Sequence, residues 1–271
     1  MIENDMNRTS LTEKDIKIGV WTYGEVNTEK NVPSISYSEI PENVDQLDRL
    51  WINIGAWTGL PEKEFSVHKK EWIKILPTLK NIKFLWVKGS INQDFFDTIC
   101  KMNWLEALNI QGLTSFKNLN NINSLQKLLH LKIGRSSKLE NIDSISNLNN
   151  LITLQVEGFK LISDISPITK IKSLKGLHIK GDMWKKQYID SVNGLENLTE
   201  LEYFSLSGTE VKIKDITPIT KLKKLKNLEI GYWWTKSDLQ VLYNSLPSLL
   251  YGSIKEAGET GEYEKYLKPI K

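Results

Sequence analysis

Five residues are the first candidates for chemistry: the three histidines (His68, His130 and His178), the single cysteine (Cys100) and Glu157. A glutamate and a histidine can act together as an acid–base pair. The repeat spacing of the chain predicts Glu157 and His178 on neighbouring strands, with Cβ atoms about 7–8 Å apart. Neither a nucleophile nor an oxyanion donor accompanies them, so ordinary surface polarity is the favoured interpretation. The sequence therefore predicts a protein that is not an enzyme.

The same residues do not predict a metal or cofactor site. Imidazole nitrogens that share one zinc ion lie within about 4 Å of each other. His130 and His178 are two repeats apart, which predicts roughly 10 Å between their strands, and His68 lies on a predicted helix. Cys100 is the only cysteine, which excludes an intramolecular disulfide, so we interpret it as a partly buried structural thiol. The phosphate-binding motifs GxxxxGK(S/T) and GxGxxG are absent from the sequence.

The charge of the chain disfavours nucleic acid as a partner. Formal charges nearly cancel at +3, and only three of the 36 basic residues are arginine, which is the preferred reader of phosphates and guanine edges. Two lysine clusters could contact phosphates, but we favour the interpretation that they lie on a solvated outer face of the protein. These clusters are Lys170/Lys172/Lys175 and Lys221/Lys223/Lys224/Lys226.

Hydropathy predicts the compartment. No stretch approaches 18 consecutive apolar residues, and the first twenty residues lack the apolar segment of a signal peptide. Both features disfavour membrane insertion and secretion. Together with the single cysteine they predict a cytoplasmic protein, which we expect to be a monomer.

An apolar frame, L-x-x-L-x-L, recurs along most of the chain and predicts its architecture. The fourth and sixth positions of each copy are apolar, and this alternation is typical of a short strand with one buried face. A unit of this length cannot enclose its apolar face alone, so the strands must stack in parallel. The eight copies begin at Leu47, Ile82, Leu105, Leu128, Leu151, Leu174, Leu201 and Leu225.

A second apolar set precedes each next frame at a strict spacing of three residues, as in Ile142, Ile145 and Leu148. This spacing predicts short 3₁₀-like turns behind the strands. Side chains that cap helical turns stand one residue before five of the sets: Asn118, Asn141, Asp164, Ser191 and Asp215. Five frames have glycine at the eighth position, where a tight exit from the strand favours it: Gly89, Gly112, Gly158, Gly181 and Gly208.

The segments SDISPITKIKSLKGLHIKG (163–181) and KDITPITKLKKLKNLEIG (214–231) resemble the bacterial leucine-rich-repeat family, of the short-repeat type seen in internalins. The resemblance covers roughly residues 47–232. It implies an α/β solenoid, a curved superhelix with a parallel β-sheet on the concave side and short 3₁₀ or helical turns on the convex side. It also implies a binding role, without naming the partner.

The ends of a solenoid need atypical caps. Alternation in residues 16–23 and 34–40 predicts a β-rich cap over the acidic segment 1–46. The solenoid itself spans 47–232, with a helical insertion near 61–76 in which Phe65, Lys69, Trp72 and Leu76 share one face. Residues 233–271 are predicted to form a helical cap, which begins with a capping box at Ser237 and Gln240, and a loosely packed tail.

The third, fifth and seventh frame positions are predicted to face solvent on the concave side, where a partner would bind. Tryptophan and arginine are enriched among binding hot spots, and they cluster at the N-terminal end of this surface. We expect a module that binds a protein or an extended peptide there, and that regulates an enzyme or neutralises a toxin. The predicted partner-binding residues are Arg49, Trp51, Phe84, Trp86, Lys88, His130, Lys132, Glu157, His178 and Tyr203.

Two alternatives stay open at this point. The N-terminal cap or the insertion after residue 55 could fold over the aromatic residues, which would then serve the fold. The chain could also be an exported adhesin or glycan-binding protein, in which Trp51 and Trp86 stack on sugar rings. A second aromatic cluster, Tyr232, Trp233 and Trp234, is expected to lie beneath the C-terminal helix.

Overall fold

Parallel strands stacked in chain order form the framework, in a computed structural model that describes residues 9–19, 36–55, 61–112, 117–181 and 185–267. Within these ranges a second, two-stranded ladder pairs β7 (Gln187–Ile189) with β9 (Thr209–Val211). The main sheet of the described ranges has eight strands: β1 (Arg49–Ile54), β2 (Phe84–Gly89), β3 (Ala107–Gln111), β4 (His130–Gly134), β5 (Thr153–Glu157), β6 (Gly176–Lys180), β8 (Tyr203–Leu206) and β10 (Asn227–Ile230).

The strand register confirms the repeat frame. Arg49 pairs with Phe84, and equivalent positions continue in register across the sheet as far as Asn227. The fourth and sixth positions lie in one continuous core, where Leu131 and Leu154 have no exposed surface. Each strand of the main sheet therefore contributes at least two apolar side chains to a core that it shares with the neighbouring repeats.

Turns and helices stack behind the strands and close the other side of this core. The predicted 3₁₀ turns are confirmed at Asn120–Ser124, Asp143–Asn147, Ile168–Lys170 and Leu195–Asn197. Two sets form α-helical turns instead, α3 (Gln93–Ile99) and α4 (Thr217–Thr220). Further 3₁₀ turns lie at Val44–Gln46, Leu76–Thr78 and Tyr263–Tyr266.

The five side chains predicted to cap the turns accept backbone hydrogen bonds, but none stands at the N-cap position, where the structure has no side-chain cap. Each accepts a hydrogen bond from the backbone N–H two residues further on. Asp164 Oδ1, for example, lies 2.8 Å from Ser166 N. The hydrogen bonds from Thr217 hold the pKa of Asp215 below its usual value. These contacts satisfy backbone donors at the entry of each turn.

Glycine at the strand exit is confirmed as a conformational requirement in four repeats, where φ is positive. Gly181 has no positive φ, but a Cβ there would lie 2.5 Å from the Gly208 carbonyl oxygen. At the equivalent position of β4 stands Arg135, whose φ of 62° makes it the one non-glycine residue with positive φ in the described part of the chain. Such a backbone costs about 1–3 kcal/mol.

The insertion forms the predicted helix, α2 (Glu62–Ile75), which packs on the core side of the sheet. Trp72 is fully buried and its Nε1 donates to the Ser38 carbonyl at 2.8 Å. Because the helical period places Trp72 inward, Ile73 is only partly buried. Residues 61–80 therefore do not cover the aromatic end of the opposite face, while residues 56–60 of the insertion lie outside the described ranges.

The predicted β-rich cap is wrong at residues 16–18, which belong to a helix, α1 (Glu13–Ile18). Thr12 Oγ1 accepts from Asp15 N at 3.2 Å and Asp15 Oδ2 accepts from Thr12 N at 2.8 Å, a reciprocal cap that starts a helix. Gly19, with φ of 69°, ends it. The strand predicted beyond residue 19 falls on residues outside the described ranges, and Tyr37 forms an isolated parallel bridge with Ile52.

The C-terminal helix α5 (Lys236–Ser245) covers the last repeat as predicted, with Leu239, Leu242 and Leu246 buried. Its capping box is formed by Thr235 and Asp238 rather than by Ser237 and Gln240. The sequence TKSDLQ fits both registers, and the one that begins earlier is adopted.

We expected the tail after α5 to be loosely packed, and this prediction is wrong for its described residues. Residues Ser253–Thr260 form α6, whose Ile254 and Ala257 have no exposed surface. These small and apolar side chains extend the main core by one more layer. Among the described residues, no helix is long and apolar enough to cross a membrane.

Candidate functional site: the concave face of the sheet

All ten predicted binding residues lie on the face of the main sheet that is opposite the core, which we call the concave face. The prediction that they face solvent is wrong for seven of them. Arg49, Trp51 and Lys88 are partly exposed. Phe84, Trp86, His130, Lys132, Glu157, His178 and Tyr203 are each at most 9% exposed. The frame places side chains on this face correctly, but it contains no information about what lies above them.

At the N-terminal end of the concave face, aromatic side chains pack against one another. The rings of Trp51 and Trp86 stack with centroids 4.1 Å apart and planes 6° apart. With Phe84 and Ala107 they form an apolar cluster that is separate from the main core. Trp86 is 5% exposed, so no sugar ring can stack on it in this conformation. The alternative that the N-terminal cap covers this end falls on residues 20–35, outside the described ranges.

Charged side chains are buried at the centre of the concave face. Lys132 Nζ lies 3.9 Å from Glu157 Oε2, with the two side chains 1% and 4% exposed. Arg135 Nε lies 3.4 Å from the other carboxylate oxygen of Glu157. Burying an ion pair costs desolvation that the Coulomb attraction often fails to repay. The pair is therefore poorly explained by stability alone.

The contacts of Glu157 are relevant to the acid–base pair that the sequence analysis considered, Glu157 with His178. Its carboxylate faces the cations of Lys132 and Arg135. His130, one of the other candidates, places Nδ1 2.8 Å from the Thr153 hydroxyl.

Across the described ranges, no group of three or more His, Cys, Asp or Glu side chains could hold a metal ion. Burial raises the pKa of the Cys100 thiol, which fits an unreactive structural cysteine.

In the described part of the chain, the buried polar atoms of the concave face that make no hydrogen bond include Trp51 Nε1, Asn53 Oδ1, Gln155 Nε2 and Asn227 Oδ1. An unsatisfied buried polar group costs about 1–3 kcal/mol. The sequence analysis did not select Gln155 or Asn227, although their frame positions placed them on this face. The face thus carries hydrogen-bonding capacity that the chain leaves unused.

The C-terminal end of the concave face is occupied by α1. Asn227 Nδ2 donates to the carbonyl oxygens of Ile16 at 2.8 Å and Lys17 at 3.3 Å. The Tyr251 hydroxyl donates to Glu13 Oε1 at 2.5 Å. Tyr251 lies outside the eight predicted frames but forms a parallel bridge with Asn227. A ninth strand-like position therefore extends this face.

The second aromatic cluster separates into three environments. Trp234 is buried in the main core with α5, as predicted for the whole cluster. Trp233 instead packs beneath Lys186, whose Nζ is 3.8 Å from the ring centroid. Tyr232 is 55% exposed. The expected cover by the C-terminal helix holds only for Trp234.

Lysines that resembled phosphate contacts bond to groups of the protein itself. Lys224 Nζ lies 2.7 Å from Glu200 Oε2. Lys226 Nζ lies 2.5 Å from Glu202 Oε2. Lys175 Nζ donates to the Thr9 carbonyl at 2.7 Å. These contacts join adjacent repeats or join the N-terminal segment to the sheet, and they fit the solvated-face interpretation.

Glu229, at the fifth frame position of β10, gives the concave face a pH-dependent element. Burial raises the pKa of its carboxyl and the charge of Glu256 adds to this, while hydrogen bonds from Ser253 oppose it. A carboxyl with a raised folded-state pKa destabilises the fold when it is ionised, and this cost disappears as the pH falls through that pKa. The concave face therefore bears an electrostatic cost at neutral pH.

We expect Glu229→Gln to raise the free energy of unfolding by about 1 kcal/mol at pH 7, and this gain to shrink toward pH 4. Urea denaturation at the two pH values measures it. Glu196→Gln, at an exposed position, is the matched control and should change stability by less than about 0.5 kcal/mol. A loss of stability in Glu229→Gln at pH 7 would mean that the Ser253 hydrogen bonds outweigh the desolvation.

The parallel sheet, the stacked turns and the repeat register together define a leucine-rich-repeat solenoid. Among solved structures, a leucine-rich-repeat protein of Leptospira interrogans is similar, with a TM-score of 0.56 and 18% sequence identity over 79% of this chain and 51% of that one. This likeness establishes the fold and nothing further.

Two internalins of Listeria monocytogenes are also similar. One of them matches with a TM-score of 0.46 and 29% sequence identity, over 57% of this chain and 42% of that one. Internalin C2 matches with a TM-score of 0.44 and 21% sequence identity, over 66% of this chain and 80% of that one. The chain thus spans about half the length of the Leptospira protein and less than half of the first internalin. No protein-family model matches the sequence, and a search of curated proteins found no match.

Proposed function

We propose that this chain is a non-enzymatic protein-interaction module that binds a protein partner on its concave face. The partly exposed residues on this face, Arg49, Trp51 and Lys88, carry this proposal. Polar atoms that the face buries without a hydrogen bond, such as Gln155 Nε2, support it. A solenoid needs only its main core to fold, and apolar residues at such positions would avoid the cost of burying polar groups.

The aromatic end of the concave face is where a partner makes first contact. Arg49, Trp51 and Lys88 are partly exposed there, whereas the centre of the face is buried. A partly exposed tryptophan beside an arginine is a typical hot-spot arrangement. The cations of Arg49 and Lys88 favour an acidic surface on the partner. A regulated enzyme or a neutralised toxin is the partner class that we propose.

Affinity capture from a lysate of the source organism tests this site. We expect Arg49→Ala/Trp51→Ala to hold at least tenfold less of the partner than the unaltered protein, because hot-spot truncations cost about 2 kcal/mol or more. Trp104→Ala is the matched control, since Trp104 is also partly buried but packs against the main core. A partner retained equally by both variants, each with a normal thermal unfolding transition, would contradict the proposal.

A further inference from the structure

The N-terminal segment 9–19 lies on the part of the concave face formed by the last strands. Asn227 and Tyr251 bind α1 through the backbone of Ile16 and the side chain of Glu13. Tyr203 lies against Gly19, where an added Cβ would clash with the tyrosine ring. We call the surface formed by Tyr203, Asn227 and Tyr251 the helix-docking surface.

Contacts with the helix-docking surface stabilise α1, together with its own capping box. A helix of six residues is unstable alone, because nucleation outweighs the few hydrogen bonds it makes. On the surface, Ile16 is 4% exposed and the acidic first turn meets a tyrosine hydroxyl. Lys175 Nζ donates to the carbonyl of Thr9, three residues before the N-cap Thr12. The surface thus recognises a backbone shape, an apolar side chain and a carboxylate.

We propose that the helix-docking surface is a binding site for a short helix, which α1 occupies as an internal ligand. It fits a helix with an acidic first turn, a buried isoleucine and a C-terminal glycine. This inference rests on the proposed function, since a partner that reaches this end of the concave face must first displace α1. The N-terminal segment is therefore autoinhibitory.

Linkage through the chain explains why α1 prevails over a free competitor. A tethered ligand acts at an effective concentration of about millimolar, so it can occupy its site even when its intrinsic affinity is weak. A partner helix sees only the fraction of molecules in which α1 is displaced. Substitutions that weaken α1 therefore increase the apparent affinity for a helix supplied in trans.

Gly19→Ala is the substitution that displaces α1. It places a Cβ against the Tyr203 ring at a residue whose φ is 69°. Gly261→Ala is the matched control, since Gly261 also ends a helix with positive φ, 74°, but has no atom within 4 Å of the added Cβ. The two variants share the backbone strain and differ in the clash with the docking surface.

The test uses a fluorescently labelled synthetic peptide of residues 9–19 and measures its binding to the full chain by fluorescence polarisation. We expect Gly19→Ala to bind the peptide at least tenfold more tightly than the unaltered protein or Gly261→Ala. In the Gly19→Ala background, Asn227→Ala should abolish this gain, because it removes the donor to the helix carbonyls. Thr12→Ala weakens only the cap of α1 and should give a smaller, roughly fivefold gain.

Equal peptide affinity for the unaltered protein, Gly19→Ala and Thr12→Ala would overturn the proposal. So would a gain in affinity that survives Asn227→Ala in the Gly19→Ala background, or no binding to any folded variant. These outcomes are separate from partner capture at Arg49 and Trp51. If capture depends on those residues but the peptide result fails, the autoinhibitory role alone is wrong, whereas the opposite pattern rejects the proposed partner site.

Discussion

Leu154→Ala is expected to lower the free energy of unfolding by about 2–5 kcal/mol. Leu154 occupies the fourth frame position of β5 and has no exposed surface. It contributes to a core shared with β4 and β6, whose Leu131 and Leu177 are its register partners. The substitution leaves a cavity that neighbouring repeats fill only in part. Because the repeats share one core, both neighbours should lose protection from hydrogen exchange.

Chemical denaturation followed by circular dichroism measures this loss. Leu161→Ala is the matched control, because Leu161 is 51% exposed, and it should change stability by less than about 0.5 kcal/mol. If Leu154→Ala unfolds at the same denaturant midpoint as the unaltered protein, the register of the sheet is wrong.

Lys132→Met is expected to destabilise the chain by about 3 kcal/mol. Methionine preserves much of the lysine stem but removes the cation that faces Glu157 at 3.9 Å. Removing one member of a buried ion pair typically costs 3–5 kcal/mol, because the remaining charge has lost its compensation. Arg135 still faces the other oxygen of Glu157, which places the expected cost at the lower end of that range.

A double-mutant cycle separates the charge effect from packing. Glu157→Gln removes the uncompensated charge, so Lys132→Met/Glu157→Gln should recover more than half of the stability lost in Lys132→Met. Urea denaturation of the four proteins gives the coupling free energy. If the double variant is as unstable as the sum of the two single variants, the Lys132 stem rather than its charge supports the concave face.

The sequence predicted the register of the main sheet because one spacing serves two physical requirements. A residue such as Leu131 must face the core, and it must also lie beside its equivalents in the next repeats. Any other register would expose the apolar row. The hydrogen bonds that Asn141 and Asp164 accept before their turns follow from the same repeat. Periodic constraints of this kind can be read without coordinates.

The cover of the concave face could not be predicted in this way. Burial of Lys132 and Glu157 depends on contacts that no repeat position specifies, and polar residues in a strand are normally interpreted as solvated. The helix α1 had a local signal, the Thr12–Asp15 capping box, but strand-like alternation from residue 16 onward competed with it. Where that helix docks is a long-range contact without a sequence signature.

The docking of α1 on the far end of the sheet changes how the whole solenoid should unfold. Linear repeat arrays fray from their ends, because each repeat contacts only its neighbours. Here the bonds from Asn227 to Ile16 and from Tyr251 to Glu13 join residues 211 and 238 positions apart. The C-terminal repeats therefore cannot fray without releasing the N-terminal segment. Such contacts raise the contact order, so we expect slower folding than in a solenoid without this closure.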